Sequence, residues 1–315
     1  MGRDRHGAPA LNLDDAAAER WIRTLVEPTA AIETTHDRPW STVLRVPVGD
    51  GVVWFKACAP VQSFEPRLSA SLATRWPELV APVLGHDEGR AWLLLADAGA
   101  PIAVSGNPPD AWLEVLPRYA ELQLGETAYA DEHVAHGVPD LRLSKLPARY
   151  DDLLGRELPI DADAVDRLRA FEPGFTALCN ELAAHDIPAT IQHDDLHMAN
   201  VYDDGGRLRV LDWGDSSIAH PFFSLFVTFR FLEEQNGLSP GDPWFPRLRD
   251  AYLEPWGSGL ADIFELAHRV SSFAHVFAWI RQRDHLDTSE RAAFDTWFPL
   301  VLNRAVAATQ PRAAR

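Results

Sequence analysis

The polar side chains best suited to chemistry are concentrated in one stretch, IQHDDLHMANVYDDGGRLRVLDWGD, which spans residues 191–215. Its two histidines, His193 and His197, are four residues apart, and on a helix they would share one face as in a zinc hydrolase. Pro188 upstream and a glycine turn downstream give poor context for such a helix, and no closely following histidine supplies a third ligand. A zinc hydrolase is therefore only a remote alternative.

Three other polar residues of this stretch have the spacing that phosphoryl transfer needs. Asp195 is followed five residues later by Asn200, and Asp212 comes after a short predicted hairpin, at the end of the apolar strand LRVL. Phosphoryl transfer needs a carboxylate near the acceptor hydroxyl and oxygen ligands for Mg²⁺. Each residue by itself could be a turn, cap or strand-end residue. Together they predict a base, Asp195, and two metal ligands, Asn200 and Asp212.

The residues HDDLHMAN…VLDWGD resemble the catalytic loop and metal segment of the aminoglycoside phosphotransferase/choline kinase-like family, whose pattern is HGDLHxxN…IDW/F. The resemblance is most specific over residues 191–215 and continues more weakly from about residue 40 to 225. It implies a protein-kinase-like fold, ATP or GTP and Mg²⁺ as cofactors, and transfer of the γ-phosphoryl group to a hydroxyl of a small molecule. It also implies that His193 braces the catalytic loop around Asp195.

Two departures from the family pattern are visible. Asp194 stands where the family usually has glycine, which alters the turn and adds a charge beside Asp195. In HPFFSL, Ser224 stands where related sequences often have aspartate, and we expect the loss of that carboxylate to remove a support of the catalytic loop. A pseudokinase that binds nucleotide without turnover is the alternative from a different functional class. Four retained residues argue against it, namely Lys56, Asp195, Asn200 and Asp212.

Lysine is rare in this chain, which has only Lys56 and Lys145, so the position of each is informative. Lys56 lies in the apolar strand VVWFKAC and matches the family lysine that contacts the ATP phosphates, a point charge on a rigid element. Glu65, at the start of the next predicted helix, is the candidate that pairs with Lys56 and orients it. Glu78 is the second choice for that partner.

Two further segments are candidates for nucleotide contacts through the resemblance. WSTVLRV occupies the phosphate-loop position without a GxGxxG pattern, so Ser41 and Thr42 would offer hydroxyl and backbone N–H groups. LLLADAG resembles the hinge between the lobes, where backbone groups near Ala96 and Ala98 would hold the adenine. An ordinary core strand that ends in a turn fits the same residues nearly as well.

The acceptor is expected in the helical part of the chain, after Asp212. The net charge of −17 favours a cationic acceptor, although a general acidic bias also promotes solubility. The family resemblance covers acceptors from aminoglycosides and other antibiotics to amino alcohols and sugars, and it does not select one. The candidate residues for binding a cationic group are Asp215, Glu233 and Asp284, with Glu234 and Asp287 in support.

The composition excludes several classes of partner. With 315 residues, of which 46% are hydrophobic and 24% charged, the chain can form a sizeable core in two modest domains. The strong negative charge argues against nonspecific binding to nucleic acid or to an anionic membrane, because both require a basic surface. Cys58 and Cys179 are too few for a disulfide framework, and the N-terminus lacks the apolar segment of a signal peptide. We therefore expect a cytoplasmic monomer or homodimer.

The elements that must position these residues fall into two groups. Up to about Asp97 the sequence predicts a small antiparallel sheet with one inserted helix. The signals are a helix that begins at Asn12 or Asp14, two strands split by GDG, and a second pair of strands. We predict an α+β, bilobal, protein-kinase-like fold with a nucleotide-binding lobe at 1–97 and a catalytic and substrate-binding lobe at 98–315. Helical periodicity in the second lobe appears around residues 110–125, 162–185, 217–235, 244–254, 260–284 and 289–308.

Overall fold

The computed structural model describes residues 13–49 and 51–310. Contacts along the chain divide it into two compact units. The first contains the described residues up to Ala100, together with Tyr202–Gly214 and Arg281–Thr296. The second contains Pro101–Val201, Asp215–Ile280 and the described residues from Trp297 onward. Two later segments thus join the N-terminal part in the first unit. The division into domains at residue 97 stays a prediction.

A five-stranded antiparallel sheet is the main element of the first unit. Its strands are β1 (Glu33–Arg38), β2 (Ser41–Val48), β3 (Gly51–Cys58), β4 (Val83–Asp87) and β5 (Trp92–Ala96), in the order β1-β2-β3-β5-β4. β2 and β3 form the predicted hairpin, in which Val48 pairs with Gly51 and Val43 pairs with Lys56. Gly49 begins the turn with a φ of 46°, a left-handed conformation that glycine adopts without strain.

Helix α1 (Asp15–Ile22) packs on one face of this sheet. Asp14 caps the helix by accepting a hydrogen bond from the N–H of Ala17 at 2.9 Å, and Asn12, the other candidate cap, lies outside the described residues. Because side chains alternate along a strand, Phe55 of β3 faces this helix and Lys56 points to the opposite face. The buried residues of the shared core are Ala18, Ile22, Leu44, Val46, Val53, Phe55, Ala57, Trp92 and Leu94.

The remaining strands are short: β6 (Ala100–Pro101), β7 (Thr190–Gln192), β8 (Val201–Asp203), β9 (Leu208–Val210) and β10 (Ser217–Ala219). β8 and β9 form the predicted hairpin. Arg209 of β9 ties this hairpin to the segment after helix α2 (Glu65–Arg75), because its guanidinium donates to the carbonyls of Pro77 at 2.8 Å and Val80 at 2.9 Å. In the second unit β7 pairs antiparallel with β10.

Helices dominate the second unit, and none of those in the described ranges is long and apolar enough to cross a membrane. α10 and the last four residues of α9 are assigned to the first unit. Tyr150, Phe175 and Phe273 form an aromatic core, with the rings of Tyr150 and Phe175 stacked at 4.5 Å between centroids. The bounds are α3 (Pro109–Glu126), α4 (Ala130–Ala135), α5 (Leu146–Leu154), α6 (Ala162–Ala183), α7 (Leu225–Asn236), α8 (Trp244–Leu253), α9 (Ala261–Asp284), α10 (Thr288–Phe294) and α11 (Phe298–Ala308).

The predicted fold class is confirmed, since an antiparallel sheet with few helices is followed by a larger helical part. Two element predictions are wrong. The helix expected at 217–235 begins only at Leu225, because residues 217–219 pair with β7 and Pro221 starts a short 3-10 helix. The helix expected at 289–308 is two helices, α10 and α11, and Pro299 lies in the first turn of the second, where proline is well tolerated.

Candidate active site

Lys56 of β3 is bound by two carboxylates of the first unit. Its nitrogen Nζ lies 2.6 Å from Oε2 of Glu65 and 2.6 Å from Oδ1 of Asp212. The structure thus pairs Lys56 with Glu65, the first choice from the sequence, whereas Glu78 lies 3.6 Å from Arg207. Glu65 begins α2 and Asp212 follows β9, so three separate elements converge on one ammonium group.

Lys56 keeps its charge although it is buried. Its side chain is 9% exposed and that of Glu65 is 2% exposed, whereas the carboxylate of Asp212 is 51% exposed. Burial lowers the pKa of Lys56, but the carboxylates of Asp212 and Glu65 outweigh burial and raise the pKa well above the ordinary value for lysine. Lys56 is therefore a fixed positive charge, and Asp212 is the partner that solvent and ligands reach.

Close packing around Glu65 explains two neighbouring residues. The thiol of Cys58 donates to Oε2 of Glu65 at 3.2 Å, and burial together with the charge of Glu65 raises the pKa of this thiol well above its usual value. A Cβ at Gly214 would lie 2.7 Å from Oε2 of Glu65 and 2.8 Å from Cδ of Gln62, closer than real Cβ atoms approach. A side chain at residue 214 would therefore displace Glu65 from Lys56.

The other residues predicted to contact the nucleotide lie in or next to the sheet. Ser41 and Thr42 begin β2 and are buried, and the hydroxyl of Thr42 donates to Oδ1 of Asp37 at 2.9 Å. Ala96 ends β5, and its N–H donates to a backbone carbonyl at 2.9 Å, while Ala98 is buried two residues further on. The Thr42 hydroxyl and the Ala96 N–H thus already have hydrogen-bond partners within the protein.

In the second unit, the candidate catalytic loop begins where β7 ends. The N–H of His193 donates to the hydroxyl of Tyr119 at 3.0 Å, and His193 is fully buried. Asp194 has a φ of 60°, in the left-handed region that glycine adopts most easily and aspartate tolerates. Its carboxylate accepts a hydrogen bond from the Ser217 hydroxyl of the paired strand β10. This geometry accounts for the usual glycine of the family pattern and for its replacement by Asp194 in this chain.

Asp195 is fixed through one carboxylate oxygen and open at the other. Oδ2 accepts hydrogen bonds from Nε2 of His197 at 3.1 Å and from Nδ2 of Asn200 at 3.2 Å. The neutral ring of His197 has its proton on Nε2, because Nδ1 accepts from the N–H of Ala199 at 3.2 Å. Oδ1 has no hydrogen-bond partner among residues 13–49 and 51–310, and the side chain is 34% exposed. This second oxygen is available to a ligand hydroxyl.

Asn200 and Asp212 have the oxygen atoms that a hard divalent cation requires. Nδ2 of Asn200 also donates to the backbone carbonyl of Asp195 at 2.9 Å, which fixes the amide and leaves its oxygen Oδ1 as the atom suited to a cation. Asp212 has a φ of 65° and a half-exposed carboxylate, one oxygen of which contacts Lys56. Each residue therefore fits, within its own unit, the predicted role of a Mg²⁺ ligand.

The zinc alternative is not supported, because His193 and His197 lie in a loop rather than on a helix. The ring of His197 bonds to Asp195 and stacks on Phe231 with 4.4 Å between ring centroids. Within the part of the chain that the structure describes, no group of three or more His, Cys, Asp or Glu side chains is placed to hold a metal ion. Pro188 is expected to prevent a helix here, and the loop is indeed not helical. The HxxxH pattern therefore does not bring the two histidines onto one helical face.

An uncharged hydrogen-bond network supports the catalytic loop. Ser224 donates to Oε1 of Gln192 and accepts from Nε2 of Gln123 at 3.0 Å. The Tyr119 hydroxyl, which accepts from the N–H of His193, lies 3.3 Å from the Ser224 hydroxyl. The expectation that serine at residue 224 removes a support is therefore corrected: Ser224 connects the strand before the loop to α3 without a charge.

The acidic residues predicted to bind a cationic acceptor are divided between the two units. Asp215, Glu233 and Glu234 belong to the second unit, whereas Asp284 and Asp287 are exposed residues of the first. Glu234 is ion-paired with Arg304, and Asp287 caps α10 by accepting a hydrogen bond from the N–H of Glu290 at 2.9 Å. Glu234 and Asp287 thus have structural partners.

Sequence reasoning does not identify the role of two residues here. From the sequence, His197 is a zinc ligand in the remote alternative and otherwise a residue of loop packing or of the substrate side. In the structure its side chain fixes Asp195, and its position two residues after the aspartate is a usable signal. Tyr119 lies 74 residues before His193, so no local pattern reveals that its hydroxyl holds the loop. A contact over that separation exists only once α3 packs beside β7.

No protein-family model matches the chain, and no curated protein matches it either. Solved structures do match, each at low sequence identity. A GDP complex of aminoglycoside 2'-phosphotransferase-IIIa has a TM-score of 0.61 and 14% identity, over 94% of this chain and 99% of that one. An ethanolamine kinase from Plasmodium vivax has a TM-score of 0.58 and 14% identity, over 93% and 85%.

A choline/ethanolamine kinase family protein from Mesorhizobium loti has a TM-score of 0.56 and 16% identity, over 93% of this chain and 98% of that one. The match thus extends through the final third of the chain, where the sequence resemblance rests on helical character alone. At sequence identities this low, the structural similarity establishes the fold alone. The chain has the α+β fold of aminoglycoside phosphotransferases and choline/ethanolamine kinases.

Proposed function

We propose that this protein is a small-molecule phosphotransferase that moves the γ-phosphoryl group of ATP or GTP to a hydroxyl group. The observation that carries the proposal is the geometry of Asp195, one oxygen of which is fixed by His197 and Asn200 while the other is open. Solved proteins of this fold include one in complex with GDP and kanamycin and one in complex with ADP and spectinomycin. These complexes support nucleotide-dependent chemistry on a small molecule.

In the proposed reaction, Asp195 orients the acceptor hydroxyl and takes up its proton on Oδ1. The hydroxyl oxygen bonds to the γ-phosphorus while the bond from that phosphorus to the bridging oxygen of the nucleoside diphosphate breaks, and the diphosphate leaves with the electron pair. His197 and Asn200 hold the carboxylate in one orientation, and His193 braces the loop. Such positioning supplies much of the rate in phosphoryl transfer.

The nucleotide is proposed to bind to the first unit. Lys56 supplies a permanent positive charge for the phosphates, and Glu65 holds that charge in place. Mg²⁺, for which Asn200 and Asp212 are the proposed ligands, supplies further neutralisation of phosphate charge when bound. The remaining proposed nucleotide contacts are Ser41, Thr42, Ala96 and Ala98.

Asp195→Asn tests this assignment. The amide keeps the size of the side chain but is no base, so phosphoryl transfer should fall by at least about 100-fold while the Kd for nucleotide changes little. The assay follows release of nucleoside diphosphate from ATP and GTP in the presence of hydroxylated antibiotics, amino alcohols, sugars and hydroxy acids. Asp152→Asn, in an exposed aspartate of α5 in the same unit, is the matched control and should leave transfer unchanged.

Three outcomes would contradict the proposal. An unchanged rate of phosphoryl transfer by the Asp195→Asn variant would show that Asp195 is not the base. Nucleotide binding by the unaltered protein without transfer to any acceptor would indicate the pseudokinase alternative. Tightly held zinc in a one-to-one ratio to purified protein would contradict a Mg²⁺-assisted reaction.

A further inference from the structure

Helix α7 carries a half-buried arginine, Arg230, whose Nε is buried without a hydrogen-bond partner in the part of the chain that the structure describes. The Nε–H of Arg230 donates to no neighbour, and the side chain forms no ion pair with residues 13–49 or 51–310. Its Cζ lies 4.6 Å from the centre of the Phe231 ring. Burying a charge without a partner costs folding free energy, and a bound anion would offset that cost.

Arg230 lies close to the residue proposed to act on the acceptor hydroxyl. The Phe231 ring below the guanidinium stacks on the ring of His197, with 4.4 Å between centroids and 16° between planes. His197 in turn lies 3.1 Å from Oδ2 of Asp195. A guanidinium and a carboxylate with an open oxygen are thus connected by two stacked rings within the second unit. The charge of Asp195 also acts on Arg230, which agrees with this proximity.

The neighbouring charges leave Arg230 without an ion-pair partner. Arg304 of α11 is already paired with Glu234, and burial, followed by the charge of Arg230, lowers the pKa of Arg304. Glu233, whose pKa is raised by burial, interacts with Arg304. For Arg230 itself, burial lowers the pKa and the charge of Asp195 raises it, and a guanidinium stays charged throughout.

The residue that α9 places near Arg230 is uncharged. Nε2 of His275 accepts a hydrogen bond from the indole N–H of Trp279 at 3.1 Å. Burial, followed by the charge of Arg230, lowers the pKa of His275 to about 3, so the ring is neutral at physiological pH. Phe226 lies 5.3 Å from the same ring between centroids. Such surroundings have a low dielectric, which strengthens an ion pair between Arg230 and a ligand.

We propose that Arg230 binds a carboxylate of the acceptor, so that the protein phosphorylates hydroxyl compounds that carry a carboxylate. This inference rests on the proposed phosphotransferase function. A planar guanidinium matches a carboxylate with two parallel N–H···O hydrogen bonds. A single arginine beside Asp195 suits a monoanion better than a dianionic phosphate, because the aspartate repels a second negative charge.

The same geometry disfavours a polycation such as an aminoglycoside. A cationic group near Asp195 would also lie near Arg230, and like charges repel strongly in a partly buried site. This acceptor class therefore differs from the cationic acceptor that the net charge of −17 favours. For a small molecule, the charges of Arg230 and Asp195 beside it decide which ligand is preferred, rather than the net charge of the whole protein.

Two variants of Arg230 test the proposal. Arg230→Ala removes the guanidinium, and Arg230→Lys keeps the charge without the paired donors. Arg247→Ala is the matched control, because Cζ of Arg247 lies 4.7 Å from the centre of the Trp244 ring in an exposed part of α8. The probes are hydroxy acids of two to six carbons, each paired with its neutral amide, with kanamycin and choline as cationic comparators. Calorimetry gives the Kd of each probe, and diphosphate release gives KM and kcat.

The unaltered protein and the Arg247→Ala variant should bind the preferred hydroxy acid at least about 10-fold more tightly than its amide. Arg230→Ala should raise the Kd and KM of the acid by about 10–100-fold, to those of the amide, without changing the Kd of the amide or of ATP. Arg230→Lys should give an intermediate value for the acid.

Equal binding of acids and amides, preference for kanamycin or choline, or no binding of any hydroxy acid would overturn the proposal. So would an Arg230→Ala variant that binds ATP more weakly but keeps the preference for the acid, since Arg230 would then serve the nucleotide. Carboxylate binding through Arg230 without phosphoryl transfer would support the carboxylate site but contradict the phosphotransferase function.

Discussion

At the scale of single residues, Lys56 shows how one buried charge joins separate elements of the first unit. Its ammonium group lies between the buried carboxylate of Glu65 and the half-exposed carboxylate of Asp212. Removing one member of a buried ion pair usually costs more than the pair contributes, because the remaining charge stays in a low dielectric. Lys56 therefore holds α2 and the segment after β9 in place as well as presenting a cation.

Lys56→Met should lower the free energy of unfolding by about 3–5 kcal/mol, because Glu65 is left buried without a cation. The double variant Lys56→Met/Glu65→Gln should lose less than the single variant, since the carboxylate that remains, Asp212, is half-exposed and no buried charge is left without a partner. Urea unfolding at pH 7 measures both. Lys145→Met changes the other lysine, which is exposed, and should stay within about 0.5 kcal/mol of the unaltered protein. Equal losses in the single and double variants would contradict this account.

Asp194 shows a backbone requirement met by an unusual residue. Its φ of 60° is costly for most side chains and nearly free for glycine. The hydrogen bond from Ser217 stabilises the aspartate in this conformation, and Ser217 belongs to the strand that pairs with β7. The substitution is therefore explained by a partner 23 residues away rather than by the loop sequence.

At the scale of elements, two helices determine where the catalytic loop lies. α3 contacts β7, which precedes the loop, and α7 contacts the loop itself. Gln123 of α3 donates to the carbonyl of Ile191 at 2.8 Å, and Thr228 of α7 donates to the carbonyl of Leu196 at 2.7 Å. With the Tyr119 hydroxyl on His193, these bonds fix the loop before and after Asp195. The proposed base is thus positioned by two helices as well as by its own loop.

Tyr119→Phe should destabilise the protein by about 1–3 kcal/mol, because a buried backbone N–H at His193 loses its acceptor. It should also lower kcat more than it raises the Kd for nucleotide, since the loop that bears Asp195 is loosened. Tyr150→Phe is the control: its hydroxyl donates at 2.8 Å to the Leu168 carbonyl, which lies within α6. Equal effects of the two variants on kcat would show that Tyr119 has no specific role in the loop.

At the scale of the whole molecule, buried neutral histidines make stability depend on pH. Burial, followed by the charge of His185, lowers the pKa of His220 to about 3, against about 6.5 in an unfolded chain. Between these values the unfolded chain binds a proton that the folded chain does not. Stability from His220 is therefore complete above about pH 6.5 and is lost as the pH falls, by about 1.4 kcal/mol per pH unit.

His220→Asn should make stability less sensitive to acid. Nδ1 of His220 accepts a hydrogen bond from the N–H of Phe222 at 3.2 Å, and asparagine can replace it as a cap. Between pH 7 and pH 5 the variant should lose about 2 kcal/mol less than the unaltered protein, as measured by urea unfolding. Other titrating groups, such as His275 and Glu65, are present in both proteins and cancel in the comparison. Parallel stability curves would show that His220 is not the group responsible.

Part of the fold is predictable because hydrophobic periodicity is a local property. The GDG turn between two alternating strands predicts β2 and β3, and helical spacing predicts α3, α6, α8 and α9 to within a few residues. β1 is not predictable in this way, because ETTHDR is polar and mostly exposed and becomes a strand only by pairing with β2. Likewise Ser217–Ala219 is a strand only because β7 lies beside it.

Residue types and their spacing point to the proposed chemistry: the spacing of Asp195, Asn200 and Asp212, and the rarity of lysine, which singles out Lys56. Spacing and composition are local, so they can be read without coordinates. Only the tertiary structure decided which groups meet: Glu65 with Lys56, His197 with Asp195, and Arg230 over a ring that stacks on His197. These contacts depend on how distant elements pack, and burial then sets the charge and the cost of each group.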